Sequence, residues 1–157
     1  APKTWDLMSG LRGGTAVFTI RFEDVGCGGV GYKPLFMACD HWRRTGVLED
    51  LRVRVVVEAP ELFPEPRVAG HIADALRRYG VEAVLDARIE SVDPEARALR
   101  ITRGGARETV EYDALHVVPP HRAPAWIADS GLADDGGAGR VARENQPERR
   151  PWCMTVA

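Results

Sequence analysis

The sequence predicts an α/β fold in three layers: a parallel sheet with helices packed on it and an antiparallel β-meander inserted. Three observations carry that prediction. Apolar, β-branched runs alternate along the chain with stretches of helical periodicity. A glycine-rich loop separates the first such run from the first amphipathic stretch. Further on, two short alternating runs flank Gly104-Gly105, the signature of a hairpin.

Taken in order, TAVFTIRF (Thr15 to Phe22) reads as the first strand, since it is β-branched and aromatic and holds no proline. The loop VGCGGVGYK (Val25 to Lys33) follows. Pro34 then opens a helical pattern, with Leu35, Phe36, Ala38 and Cys39 apolar at helical spacing, that ends near Thr45-Gly46. LRVRVVVEAP (Leu51 to Pro60) is a second strand, and its valines make the apolar run of a buried parallel sheet. Pro66 to Gly80 is a helix with Val68, Ile72, Ala75, Leu76 and Tyr79 on one face and Gly80 as its stop. Val81 to Asp93 alternates as one strand. Ala98 to Asp113 makes the hairpin, and ALHVVPP (Ala114 to Pro120) is a last buried strand ending in a double proline. Strand, loop, helix, strand, helix, strand, hairpin, strand is a Rossmann-like order in which a meander replaces a crossover helix. Residues 1–135 form this unit, and residues 136–157, polar and without sustained periodicity, are expected to be a loosely ordered tail.

Composition narrows the function. The chain has 157 residues, 45% hydrophobic and 28% charged, the balance of a globular protein with a real core. A net charge of −2 argues against a nucleic-acid partner. No apolar run has the length of a membrane-crossing helix, and no secretory pattern opens the chain. It starts at Ala1 without an initiator Met, as a chain cut or processed from a longer one does. The cysteines, Cys27, Cys39 and Cys153, are odd in number and irregular in spacing, so neither a disulfide framework nor a zinc site is indicated. A reducing, cytoplasmic compartment is expected.

The glycine loop admits two chemical readings. Gly26, Gly28 and Gly31 match G-x-G-x-x-G between a strand and a helix, where backbone N–H groups hold a pyrophosphate. Glu58, at the end of the second strand, would then take a ribose hydroxyl, although it lies farther along than the usual spacing. In the second reading Cys27 is a thiolate nucleophile. A cysteine before a helix N-terminus feels positive potential, Lys33 adds charge, and the glycines leave the sulfur accessible. A third, bland reading makes Cys27 a small filler in a tight loop. Cys39, on the apolar side of its helix, is expected to be buried and inert. Cys153 is given no role, and His41 and His71 read as packing or surface residues.

VGCGGVGYKPLFMACDHWRR resembles the middle of sulfide:quinone oxidoreductases and related FAD-dependent pyridine nucleotide-disulfide oxidoreductases, in which a C-x-G-x-x-x-K segment carries a redox-active cysteine; Cys27, Gly29 and Lys33 match it. The opening APKTWDLMSGLRGGTAVFT and LHVVPPHRAP (Leu115 to Pro124) resemble the segments before and after it, so that the resemblance runs from Ala1 to about Gly139. Two positions depart from the pattern, Gly31 where the family has proline and Gly26 where it has lysine. After Gly139 the family's flavin-binding Gly-Asp strand has no counterpart in this sequence.

The resemblance implies a central domain of an enzyme that oxidises sulfide through a redox cysteine and FAD to quinone. It implies Cys27 as the reactive sulfur, with Lys33 beside it. Gly28 and Gly29 would face the flavin together with the double proline Pro119-Pro120, and His121 would stand on the quinone side. FAD belongs to the intact family enzyme and is not expected to stay on this chain, which on that ground is expected to be inactive alone. Its partners would be a missing flavin domain, or a second copy packed through the exposed face, with peripheral membrane contact in the intact enzyme. Two alternatives remain open at this point: a free-standing FAD- or NAD(P)H-binding module using Gly26, Gly28, Gly31 and Glu58, and a non-catalytic interaction domain.

Overall fold

A computed structural model describes residues 2–23, 27–120 and 126. The elements are α1 (Pro2–Gly10), β1 (Gly14–Ile20), α2 (Tyr32–Thr45), β2 (Leu51–Val57), α3 (Pro66–Tyr79), β3 (Glu82–Val84), β4 (Ala87–Asp93), β5 (Ala98–Arg103), β6 (Ala106–Glu111) and β7 (Ala114–His116). Four strands make a parallel sheet in the order β3-β2-β1-β7, and β4-β5-β6 make the antiparallel meander.

The period-two alternation of β1 and β2 builds the three layers. Ala16, Phe18 and Ile20, with Val53, Val55 and Val57, point to one face and meet Leu35, Cys39 and Trp42 of α2 and Ile72 and Leu76 of α3. Val17 and Val56 point to the other face, where they meet Leu99 and Ile101 of β5 and Val110 of β6. The parallel sheet is therefore apolar on both sides, which is why LRVRVVV reads as a run rather than an alternation. The fold is the α/β, Rossmann-like arrangement the sequence predicts, with the meander covering the face a crossover helix would cover.

Three local readings change. Val81 to Asp93 is two strands: β3 pairs parallel with β2, β4 pairs antiparallel with β5, and between them Asp86 takes a positive φ of 53° that turns the chain. The alternating pattern persists through that turn and hides it. Helix α2 starts two residues before Pro34, at a point where a proline's missing N–H costs nothing because the first helical N–H groups have no partner within the helix. Helix α1 is not indicated by periodicity; it is held by Met8, which is buried and whose carbonyl accepts the Trp42 indole N–H at 2.8 Å. The hairpin turn falls at Gly104 and Gly105, with φ of 56° and 81°, the left-handed pair that a two-residue hairpin requires. The tail 136–157, the boundary before it, Gly26, His121 and Cys153 lie outside the described residues.

Candidate functional site at the carboxyl end of the parallel sheet

In open parallel sheets, functional loops gather beyond the carboxyl ends of the strands. Two segments meet there. Residues 27–31 lead into α2, and residues 117–120 leave β7. The first is a succession of tight turns, with Val30 N–H donating to Cys27 O (3.2 Å), Tyr32 N–H to Gly29 O (3.3 Å) and Lys33 N–H to Val30 O (3.2 Å). Two of the N–H groups opening α2 are thereby already satisfied within the loop. Cys27 is exposed, and so is Lys33; no hydrogen bond joins them among the described residues.

The glycines are required by the chain's own packing. A Cβ on Gly28 would collide with the Phe22 ring, and one on Gly29 would sit 3.2 Å from Phe63 Cε2. Phe22 and Phe63 meet edge to face at 5.6 Å and form the floor of the loop. A Cβ on Gly31 would lie 2.7 Å from Ile20 Cδ1 and 3.1 Å from the Thr19 carbonyl oxygen. Gly31 is thus the point where the loop is pressed onto the end of β1, a position proline would fill with difficulty. The Tyr32 hydroxyl donates to Leu62 O at 2.6 Å, and burial holds that hydroxyl's pKa above its ordinary value of 10.0.

On the other side, Val118 N–H donates to Thr19 Oγ1 at 2.8 Å. That bond lays the segment ending in Pro119 and Pro120, both exposed, beside Gly31, whose Cβ would be 3.5 Å from Val118 Cγ2. The loop at Gly31 and the segment at Val118 are therefore neighbours, and Pro119-Pro120 continue from that point. Thr19, Phe22 and Phe63 escaped the sequence reading. The one available signal was Thr19 lying between the apolar Phe18 and Ile20.

Glu58 does not stand free for a ribose. Its carboxylate pairs with Arg21 Nε at 2.5 Å and accepts the Ile89 N–H at 2.8 Å, tying the residues just past β1 and β2 to β4, and its side chain is only 11% exposed. With the space beside Gly28 and Gly31 filled by Phe22, Ile20 and Thr19, the described residues do not form an open cradle for dinucleotide phosphates. Among them no three His, Cys, Asp or Glu side chains come together as a metal would require.

A separate groove of about 430 Å³ runs between α1, α2 and the end of β7, lined by Thr4, Trp5, Met8, Pro34, Met37, Ala38 and His116. His116 stacks on Phe18 with ring centroids 5.9 Å apart, and its Nδ1 is buried without a hydrogen-bond partner. Burial lowers its pKa from the ordinary 6.5. The folded state therefore binds this proton less readily than the unfolded state. Stability is unaffected above pH 6.5 and falls as the pH drops below it. Urea unfolding at pH 7.5 and pH 5 is expected to show this loss, and His116→Phe is expected to remove most of it.

The fold has counterparts among solved structures. Among solved structures, the sulfide:quinone oxidoreductase of Aquifex aeolicus superposes with a TM-score of 0.73 at 14% identity, over 86% of this chain and 32% of that one. The flavoprotein disulfide reductase RclA of Escherichia coli superposes with a TM-score of 0.54 at 20% identity, over 82% of this chain and 27% of that one. Sequence makes the class narrower. The chain is 30% identical to the mitochondrial sulfide:quinone oxidoreductase of Schizosaccharomyces pombe over 138 residues, 26% to that of Dictyostelium discoideum over 133 and 25% to that of Mus musculus over 151. These matches cover 80%, 84% and 94% of the chain but only 28%, 29% and 34% of the relatives, so the chain spans about a third of their length. No protein-family model matches it. The chain is thus sulfide:quinone oxidoreductase-like in sequence and in fold.

Proposed function

We propose that this chain is the thiol-bearing central part of a flavoprotein that oxidises sulfide, and that Cys27 carries the sulfur. The observation that supports this reading most is the exposure of Cys27 on the strand–helix loop at the carboxyl end of the parallel sheet, in a chain with this similarity. Cys27 would act as one half of a disulfide with a second cysteine supplied from outside the described residues. Hydrosulfide attacks the Cys27 sulfur, a bond forms between the two sulfurs, and the second cysteine leaves as a thiolate, so that Cys27 holds a persulfide and the electron pair resides on the departing sulfur. Lys33 would stabilise the thiolate form of Cys27 between cycles.

FAD, when bound by the complete enzyme, supplies the two-electron acceptor that hands on to quinone. The described residues give it no phosphate cradle, so in this reading Gly28, Gly29, Pro119 and Pro120 offer only an edge to a flavin held elsewhere. The fragment alone would not turn over. His121 stays assigned to the quinone side. The partner is the flavin-bearing remainder of such an enzyme; Trp5, Leu7, Met37 and Val117, exposed at 43%, 47%, 63% and 40%, favour an apolar face that something covers. The setting is cytoplasmic with peripheral membrane contact; no helix among the described residues is long and apolar enough to cross a membrane.

The test uses this chain alone. Cys27 is converted to a mixed disulfide with a small thiol, sulfide is added, and each cysteine peptide is read by mass spectrometry. With an aromatic thiol of low pKa as the mixed-disulfide partner, so that it and not Cys27 leaves, the expected result is one added sulfur on Cys27, formed at least about tenfold faster than on the same mixed disulfide of free cysteine. Cys27→Ser should abolish it. A rate equal to that of the small-molecule disulfide would sink the reading, because the loop would then confer no chemistry.

A further inference from the structure

The geometry points to Thr19 as a positioning residue for the Cys27 loop, acting through the Val117–Pro120 segment. This inference rests on the reading just given of where the reactive site lies. Thr19 is the one polar or charged residue among the described residues that is fully buried, at 0% exposure in a strand whose neighbours Phe18 and Ile20 are core. A buried hydroxyl costs stability unless it is satisfied. Here it accepts the Val118 N–H at 2.8 Å, the only side-chain hydrogen bond of the segment after β7 among the described residues. The same residue touches the opposite wall: its carbonyl oxygen lies 3.1 Å from where a Cβ on Gly31 would be. Thr19 therefore clamps one segment with its side chain and backs the other with its backbone. Strand β7 itself is only three residues long, so past His116 nothing in the sheet ladder fixes the chain. The hydroxyl supplies what the ladder does not, and the separation between the glycine loop and Pro119-Pro120 follows from it.

Three versions of the 157-residue chain test this: wild type, Thr19→Val, which keeps the shape and removes the acceptor, and Thr19→Ser, which keeps the acceptor. Amide hydrogen exchange is read at Val118, with Val55 of β2 as a control for the core, and the alkylation rate of Cys27 by iodoacetamide is followed from pH 6 to pH 10. In Thr19→Val, Val118 is expected to exchange about tenfold faster with Val55 unchanged, the effect of losing one hydrogen bond. The Cys27 rate profile is expected to change by about threefold or more, as coupling through adjoining segments allows. Thr19→Ser should restore both to within about twofold. Unchanged Val118 exchange overturns the clamp. Faster Val118 exchange with an unaltered Cys27 profile overturns the positioning role. Loss of Val55 protection in Thr19→Val, or failure of serine to rescue, overturns it too, because the side chain would then be holding the core. Each readout is a ratio of variant to wild type taken with an alkylating agent, so it is scored separately from whether Cys27 ever forms a persulfide.

Discussion

Trp42→Ala is expected to cost about 3–5 kcal/mol of unfolding free energy, the range for deleting a large buried aromatic side chain. Trp42 is 0% exposed and meets Phe18 of β1 at 6.3 Å in an edge-on arrangement. Its indole N–H also donates to Met8 O at 2.8 Å, the bond that fastens α1 to the helix layer. One side chain thus joins α1, α2 and the parallel sheet. Small domains have only about 5–15 kcal/mol to lose, so the variant should unfold at a much lower urea concentration or fail to fold at all. Trp42→Phe separates the two contributions. It retains most of the packing and leaves Met8 O with only the longer bond from the Leu11 N–H at 3.4 Å, at an expected cost of about 1–2 kcal/mol. If phenylalanine costs as much as alanine, the hydrogen bond to α1 outweighs the ring's packing. If alanine costs less than about 1 kcal/mol, Trp42 does not hold the layer together as described.

The second large effect separates the two described cysteines. Cys39 is fully buried on α2, and burial pushes its thiol up from an ordinary 9.0 to about 12. At pH 8 a thiol titrating near 12 is ionised in about one molecule in ten thousand, against about one in ten for a thiol at the ordinary 9.0. Cys39 in the folded protein is therefore expected to alkylate at least about a thousandfold more slowly than a free cysteine, while exposed Cys27 reacts first. Peptide mass spectrometry after a short pulse checks this site by site, and unfolding in urea should bring Cys39 up to the rate of a free thiol. Fast labelling of Cys39 without denaturant would mean that the helix layer opens readily. The same shift makes the fold sensitive to alkali. The folded state keeps a proton that the unfolded state gives up, so stability is intact below about pH 9 and declines as the pH rises toward 12. The raised hydroxyl of Tyr32 adds to the decline above pH 10.

Much of the fold was legible because its periodicities are strong. β1 and β2 announce themselves by β-branched runs, α3 by its single apolar face and Gly80, and the β5–β6 hairpin by Gly104-Gly105. The break at Asp86 was not legible, since a polar residue at a left-handed turn looks like one more outward-facing strand position. Nor was α1, whose place depends on Met8 reaching a tryptophan 34 residues away. At the site, the sequence pointed to Cys27 and to the double proline as separate features. It offered the glycines as room for a ligand, whereas Phe22, Phe63 and Ile20 occupy that room in the folded chain.

Local chemistry and periodicity by themselves determined the class of fold, the order of its elements, the burial of Cys39 and the presence of a thiol on a glycine-rich strand–helix loop. These properties depend on a residue's own type and its near neighbours along the chain. Tertiary structure alone decided that the loop lies against Val118, that Thr19 takes the Val118 N–H, and that Glu58 is committed to Arg21 and Ile89 instead of a nucleotide. The hydrogen bonds among them join residues 31 to 99 positions apart. No periodicity encodes them, because they arise only when the parallel sheet brings the ends of its strands to one edge.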